Sequence, residues 1–214
     1  VEAVADVALT TQFDPIFKKY AGKIPVAYLR ALGYRESGLR ADAANAGGPN
    51  AARGLLQVVG VLREDYNRRH GTNYVSNDLL DPDLNVKIAA DLLNLIVVAY
   101  GKHPSKNLQV DWHNPEFVKL LTAGWNAGFS EAAGVGKVAR YLEQRSELVT
   151  HDNVFANAAA AGGVVYLQRP DRANWHRSVA DLYYLQPDRF DTAMGFGTVL
   201  LAGFVVWGVY KLSK

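Results

Sequence analysis

The chain has 214 residues, 49% of them hydrophobic and 21% charged, a formal net charge of +2 and no cysteine. That length and apolar content suffice for one well-cored domain with an appendage left over. The near-neutral charge, without a basic run interleaved with aromatics, excludes a nucleic-acid footprint, and the missing cysteine excludes disulfides, thiolate catalysis and cysteine-based zinc sites while leaving the compartment open.

Residues Val1 to Thr11 lack the charged start and unbroken apolar core of a secretory leader, and a first residue other than methionine is compatible with a processed or truncated form. Phe13, Ile16, Phe17 and Tyr20 then recur at helical spacing. A second helix starts near Pro25, with Val26, Leu29 and Gly33 on one face, and that face continues to Glu36. Gly38 stands where a left-handed cap belongs, so Glu36 falls in the last turn. There the helix's partial negative end and burial both disfavour its ionised form. A glutamate kept protonated near neutral pH suits glycoside cleavage, in which the leaving oxygen must be protonated. On periodicity alone, a structural ion pair between Glu36 and Arg30, Arg35 or Arg53 is the more favoured reading.

The small-residue stretch Ala41 to Ala52, with Gly47, Gly48 and Pro49, reads as a loop leading to Gly54-Leu55-Leu56-Gln57. The pairs Asp81-Pro82 and Asn114-Pro115 each announce a helix, an oxygen-bearing cap followed by a proline whose missing N–H costs nothing in the first turn. Leu84, Ile88, Leu92, Leu95, Ile96 and Ala99 form the core face expected for the first of these. The patch Ala156 to Gly163 fits either a hinge or a close helix contact, and Trp175, Val179, Leu182 and Tyr183 mark a last amphipathic helix. The chain is therefore expected to be mainly α.

From Thr192 to Tyr210 no residue carries a formal charge, a stretch bounded by Asp191 and Lys211. At ~1.5 Å per residue such a helix spans roughly 28 Å, close to the ~30 Å of a bilayer's hydrocarbon core. Trp207 and Tyr210 at one boundary and Lys211 and Lys214 beyond it suit interfacial anchors. A single C-terminal transmembrane helix is the expectation, giving three parts: a catalytic domain at 10–150, a membrane-proximal helical segment at 151–190 and a span at 191–211.

Four blocks carry a resemblance: Glu36-Ser37-Gly38-Leu39, Gly54-Leu55-Leu56-Gln57-Val58, Leu80-Asp81-Pro82-Asp83-Leu84-Asn85-Val86 and Ala123-Gly124-Trp125-Asn126-Ala127-Gly128. In this order and at these separations they resemble the soluble lytic transglycosylase family, with its goose-type-lysozyme-like fold. The resemblance covers about Phe13 to Tyr141. It implies Glu36 as catalytic acid and base, Ser37 hydrogen-bonded near it, and Gly54, Gln57 and Asn126 along a glycan groove, with glycine at 54 letting the backbone approach the sugar. The family usually has methionine where Leu56 stands and tyrosine where Trp125 stands. Its later tyrosine has two candidates, Tyr141, taken as the substrate-binding residue, and Tyr166.

No second acid occupies a family position, Asp42 and Asp65 being the nearest in sequence and expected on solvated surface. The resemblance therefore implies a one-glutamate cleavage of the MurNAc-GlcNAc β-1,4 bond with formation of a 1,6-anhydro sugar. A hydrolytic goose-lysozyme-like enzyme and a wall-binding or membrane-docking virion component are the alternatives. The implied partners are peptidoglycan strands, the bilayer through residues 192–210, and virion or envelope proteins, with no nucleic acid. The implied location is a virion membrane or bacterial inner membrane, the domain facing the wall; opening of the wall during phage genome delivery fits the same features. No cofactor or metal is expected: His70, His103, His113, His151 and His176 show no ligand spacing and read as single surface or capping residues.

Overall fold

The computed structural model describes residues 9–190. Among them lie eight α-helices and no β-strand: α1 Asp14–Tyr20, α2 Val26–Ser37, α3 Gly60–His70, α4 Pro82–Tyr100, α5 Pro115–Ala127, α6 Gly134–Gln144, α7 His151–Asn157 and α8 Pro170–Leu185. The mainly α expectation holds. The span expected at 191–211 lies outside the described residues; within them, no helix is long and apolar enough to cross a membrane.

Both proline-led helices begin as their caps dictate. Asp81 accepts from the backbone N–H of Asp83 at 3.0 Å, and Asn114 accepts from that of Glu116 at 3.0 Å. These oxygens satisfy N–H groups that have no partner within the helix. At the other end of α2, Gly38 adopts φ +67° and its N–H returns to the Gly33 and Tyr34 carbonyls, closing the helix one residue after Ser37. Glu36 thus sits in the last turn.

The burial of α2 exceeds the one-faced expectation. Every residue from Val26 to Gly33 is buried, because α2 is packed by α1 on one side and by α8 on another. Even Arg30 is inside, its guanidinium held by Asp14 at 3.0 and 2.6 Å, by Asp188 at 3.1 and 2.9 Å, and by the Gln186 side chain. A buried cation keeps its charge when it is both paired and hydrogen-bonded in this way.

The core face of α4 is also rotated from the expected stripe. Leu84, Ile88, Leu93, Ile96, Val97 and Tyr100 are buried, whereas Leu95 is exposed and Leu92 half-buried. The helix is apolar nearly all round over its last three turns, so periodicity does not select a face. Residues 151–190 carry α7 and α8, and Val154, Val179, Ala180 and Tyr183 join the same hydrophobic core as α2, α4 and α5. In the small-residue patch, Gly163 lies close on Val138 of α6, and an added Cβ would stand 3.0 Å from Val138 and from the Ala158 carbonyl.

Candidate active site

The loop after α2 is built around a buried asparagine. Asn85, on α4, is fully buried, accepts from the Leu56 N–H at 2.8 Å and donates to the carbonyls of Arg53 at 2.8 Å and Leu79 at 2.9 Å. The backbone between those anchors turns tightly, with Arg53 bridging Ala44 on one side and Val58 on the other. Gly54 takes φ +75°, and a Cβ there would lie 2.1 Å from the Leu79 carbonyl oxygen and 2.4 Å from Asn85 Nδ2. Within the protein, the close approach that calls for glycine here is to Leu79 and Asn85.

Ser37 joins this loop to α2. Its hydroxyl faces the carbonyls of Leu55 at 2.8 Å and Gly33 at 3.2 Å and accepts from the Arg40 N–H at 3.0 Å. The Gln57 side chain faces inward, its amide donating to Gly54 O at 2.9 Å and Ala43 O at 3.3 Å while accepting from Asn45 at 3.0 Å. Ser37 thus ties the loop to the end of α2, and Gln57 closes the loop on itself. Asn126, in the last turn of α5, donates to the Thr122 carbonyl at 3.2 Å, which leaves its Oδ1 without a partner among the described residues.

Glu36 itself is half-buried, and its carboxyl is crowded by protein. Its hydrogen-bond partner is Trp125, whose Nε1–H donates to Oε1 at 2.7 Å across 89 positions of sequence. None of the arginines considered for an ion pair makes one with it: Arg30 is engaged by Asp14 and Asp188, and Arg53 donates to Ser76 at 2.7 Å. Burial raises the Glu36 pKa to about 7, against the opposing pull of the Trp125 N–H and the Arg35 charge. An indole N–H donates only. It therefore holds Oε1 as an acceptor and leaves Oε2 to carry the proton.

Asp42 is exposed, and Asp65 is held on the surface by Arg69 at 2.7 Å and by Arg68. Neither is placed as a second catalytic carboxylate. Tyr141 lies on α6 beneath the Arg145 guanidinium, 5.5 Å from its ring centre, and no hydrogen bond links it to Glu36. Tyr166 sits in a single 3-10 turn, Val165–Gln168, packed on α5, and the charge of Glu36 reaches its hydroxyl. Neither tyrosine hydrogen-bonds to Glu36 among the described residues.

His151 and His176 depart most from the sequence reading, which took them for surface or capping residues. Both are fully buried and face each other, His151 Nε2 lying 3.2 Å from His176 Nδ1. They come from α7 and α8, whose packing is invisible in local spacing. Among the described residues no group of histidines and carboxylates is placed to hold a metal ion.

Among the described residues, the helical domain thus carries at the end of α2 a half-buried glutamate with no ionic partner, its pKa raised by burial to about 7. The sequence profile of the transglycosylase SLT domain matches residues 15–153, more than half of the chain, and the chain belongs to that family. The 70 kDa soluble lytic transglycosylase of Escherichia coli is similar in structure, at TM-score 0.56 and 19% identity, over 86% of this chain and 26% of that one. Its complex with bulgecin A matches at TM-score 0.56 and 19% identity, over 89% of this chain and 26% of that one. The chain thus spans about a quarter of the length of those proteins. No curated protein sequence matches it.

Proposed function

We propose that this chain is a peptidoglycan lytic transglycosylase in which Glu36 is the single catalytic acid and base. The observation that carries the reading is the Glu36 carboxyl itself: without an ionic partner, oriented by Trp125 at 2.7 Å, and with a pKa of about 7. A general acid works best when its pKa lies near the operating pH.

In the proposed reaction the Glu36 proton passes to the glycosidic oxygen between N-acetylmuramic acid and N-acetylglucosamine as the bond from that oxygen to C1 breaks, the electron pair leaving with the oxygen. The muramic C6 hydroxyl then attacks C1, and its proton returns to Glu36. The enzyme is restored, a 1,6-anhydro sugar forms and no water is consumed. Paired-carboxylate glycosidases use a second acid as nucleophile or base. Here the substrate's own acetamido oxygen takes the stabilising role at the positive centre. Gly54 and Gln57, on the wall built by Ser37 and Asn85, together with Asn126 Oδ1, are proposed to line the groove; of the two candidate tyrosines, Tyr166, which the Glu36 charge reaches, is proposed in preference to Tyr141.

Residues 10–150 are proposed to carry the catalysis and 151–190 to complete its core, with the uncharged stretch in 191–211 anchoring the domain on the wall-facing side of a membrane. The charge-free sequence from Thr192 to Tyr210, flanked by Lys211 and Lys214, supports the anchor. Delivery by a phage particle remains one setting compatible with that arrangement.

The test is mass spectrometry of muropeptides released from purified sacculi by the full chain in detergent, with Glu36→Gln alongside. Anhydro-muropeptides from the parent and none from the variant support the proposal. Ordinary reducing ends from the parent favour a hydrolase, and no products from either remove the enzymatic reading.

A further inference from the structure

Behind Tyr166 lies a chain of hydrogen bonds through two buried histidines that the proposed mechanism leaves unused. The Tyr166 hydroxyl is 3.1 Å from His176 Nε2, His176 Nδ1 is 3.2 Å from His151 Nε2, and His151 Nδ1 is 3.3 Å from Asp152 Oδ1. Asp152 is in turn held by Arg177 at 2.7 Å. The chain joins α7, the Val165–Gln168 turn and α8, and all of it except His151 and Asp152 lies beyond the residues that match the family profile.

The direction of these bonds follows from the valences. An ionised carboxylate only accepts, so His151 donates from Nδ1 to Asp152. Burial lowers the pKa of both histidines, that of His176 to about 3, so each ring carries one proton. With its proton on Nδ1, His151 accepts at Nε2, which makes His176 Nδ1 the donor and His176 Nε2 an acceptor. The group left to donate to that nitrogen is the Tyr166 hydroxyl. Every bond in the chain thus runs one way, from Tyr166 through the two buried rings to Asp152 at the surface.

We propose that His176 is a positioning residue: by accepting the Tyr166 proton at Nε2 it keeps that hydroxyl turned into the core, so that Tyr166 offers the Glu36 side of the site lone pairs and no proton. The inference rests on the reading of Glu36 as the catalytic acid. With its proton turned outward, the Tyr166 hydroxyl would present its positive end to the charge of Glu36 and favour the ionised form, the opposite of what a general acid needs. Held inward, it accepts from a donor on the substrate, a sugar hydroxyl or an amide N–H. The charged and titratable groups around Tyr166 and the chain are Glu36 on α2, Glu116 on α5, His151 and Asp152 on α7, Arg169 just before α8, and Asp171, Arg172, His176 and Arg177 on α8. Of these, Arg172 lies 5.5 Å over the Tyr166 ring.

Two measurements on the full chain test this, neither of which needs turnover. Nitrogen-15 spectra of the unaltered protein between pH 5 and 8 should show His151 and His176 both neutral, each with its proton on Nδ1; a charged ring, or a proton on Nε2 of His176, overturns the assignment whether or not any variant folds. In the second, the Glu36 carboxyl is titrated by carbon-13 NMR in His176→Phe, Tyr166→Phe and the double variant. The Glu36 midpoint should fall by half a unit or more in His176→Phe, and that fall should vanish when Tyr166 is also phenylalanine. An equal fall in both backgrounds means that His176 does not act through Tyr166. Because these readouts follow protons in the unliganded protein, failure to release muropeptides would count against the enzymatic reading and leave them standing.

Discussion

Trp125 Nε1 donates to Glu36 Oε1 at 2.7 Å, so a residue of α5 fixes which oxygen of the acid at the end of α2 can carry the proton. This N–H opposes the rise in pKa that burial imposes. Its removal in Trp125→Phe is expected to raise the Glu36 pKa further above 7 and to release the carboxyl from its orientation. Hydrogen bonds to charged groups contribute about 1.5–3 kcal/mol. The pH-rate profile on sacculi should therefore show an alkaline limb displaced upward by about one unit and a kcat lower by about tenfold. An unchanged limb would mean that the indole does not act on the carboxyl.

Glu36→Gln should stabilise the fold in a pH-dependent way. The folded-state pKa of about 7 exceeds the usual value of 4.5, so the stability associated with this group is fully present below about 4.5 and is lost as pH rises through 7. Glutamine accepts from Trp125 as the protonated acid does but never ionises. Chemical denaturation should find parent and variant nearly equal at pH 4, with the variant ahead by at most about 3 kcal/mol at pH 8.5. Equal stabilities at both pH values would argue that the carboxyl is not desolvated.

Gly54 and Gly38 share left-handed backbone but not surroundings, at φ +75° and +67°. An added Cβ at Gly38 meets nothing within 4 Å, whereas at Gly54 it meets the Leu79 carbonyl oxygen at 2.1 Å. Gly38→Ala should cost about 1–2 kcal/mol, the strain of the backbone alone. Gly54→Ala should cost about 4 kcal/mol or more, since backbone must also move. Thermal unfolding of the two variants measures the difference, and similar losses would contradict the packing described around Asn85.

The residues that match the family profile end at 153, yet α8 covers α2 and Arg30 is held by Gln186 and Asp188. Removing one partner of a buried ion pair costs about 3–5 kcal/mol before any loss of apolar cover. A chain ended at 153 should show no cooperative urea transition, while one ended at 190 should keep it. Cooperative unfolding of the shorter chain would show that α8 is dispensable.

Local chemistry was legible in the sequence and long-range placement was not. The caps Asp81 and Asn114 and the glycine stop at Gly38 announce helix ends because each acts within a few residues of itself. The spacing of Glu36 to that stop placed it in the last turn, whereas its reading as the acid came from the resemblance carried by the four blocks. Trp125 showed only as a departure from family pattern, since its bond to Glu36 closes a loop of 89 positions. The His151–His176 contact spans 25 positions and joins two helices whose packing no periodicity encodes, so both rings read as ordinary surface histidines. Gln57 is a subtler case: the position is legible, but the inward direction of its amide depends on a positive φ of 47°.

The account rests on Glu36 being neutral near the pH at which it works. The most direct measurement is a carbon-13 NMR titration of its carboxyl in the full chain, the signal identified by its absence in Glu36→Gln. A midpoint near 7 is the expected result. A midpoint near the usual 4.5 would leave the carboxyl ionised at neutral pH and contradict its role as the proton donor.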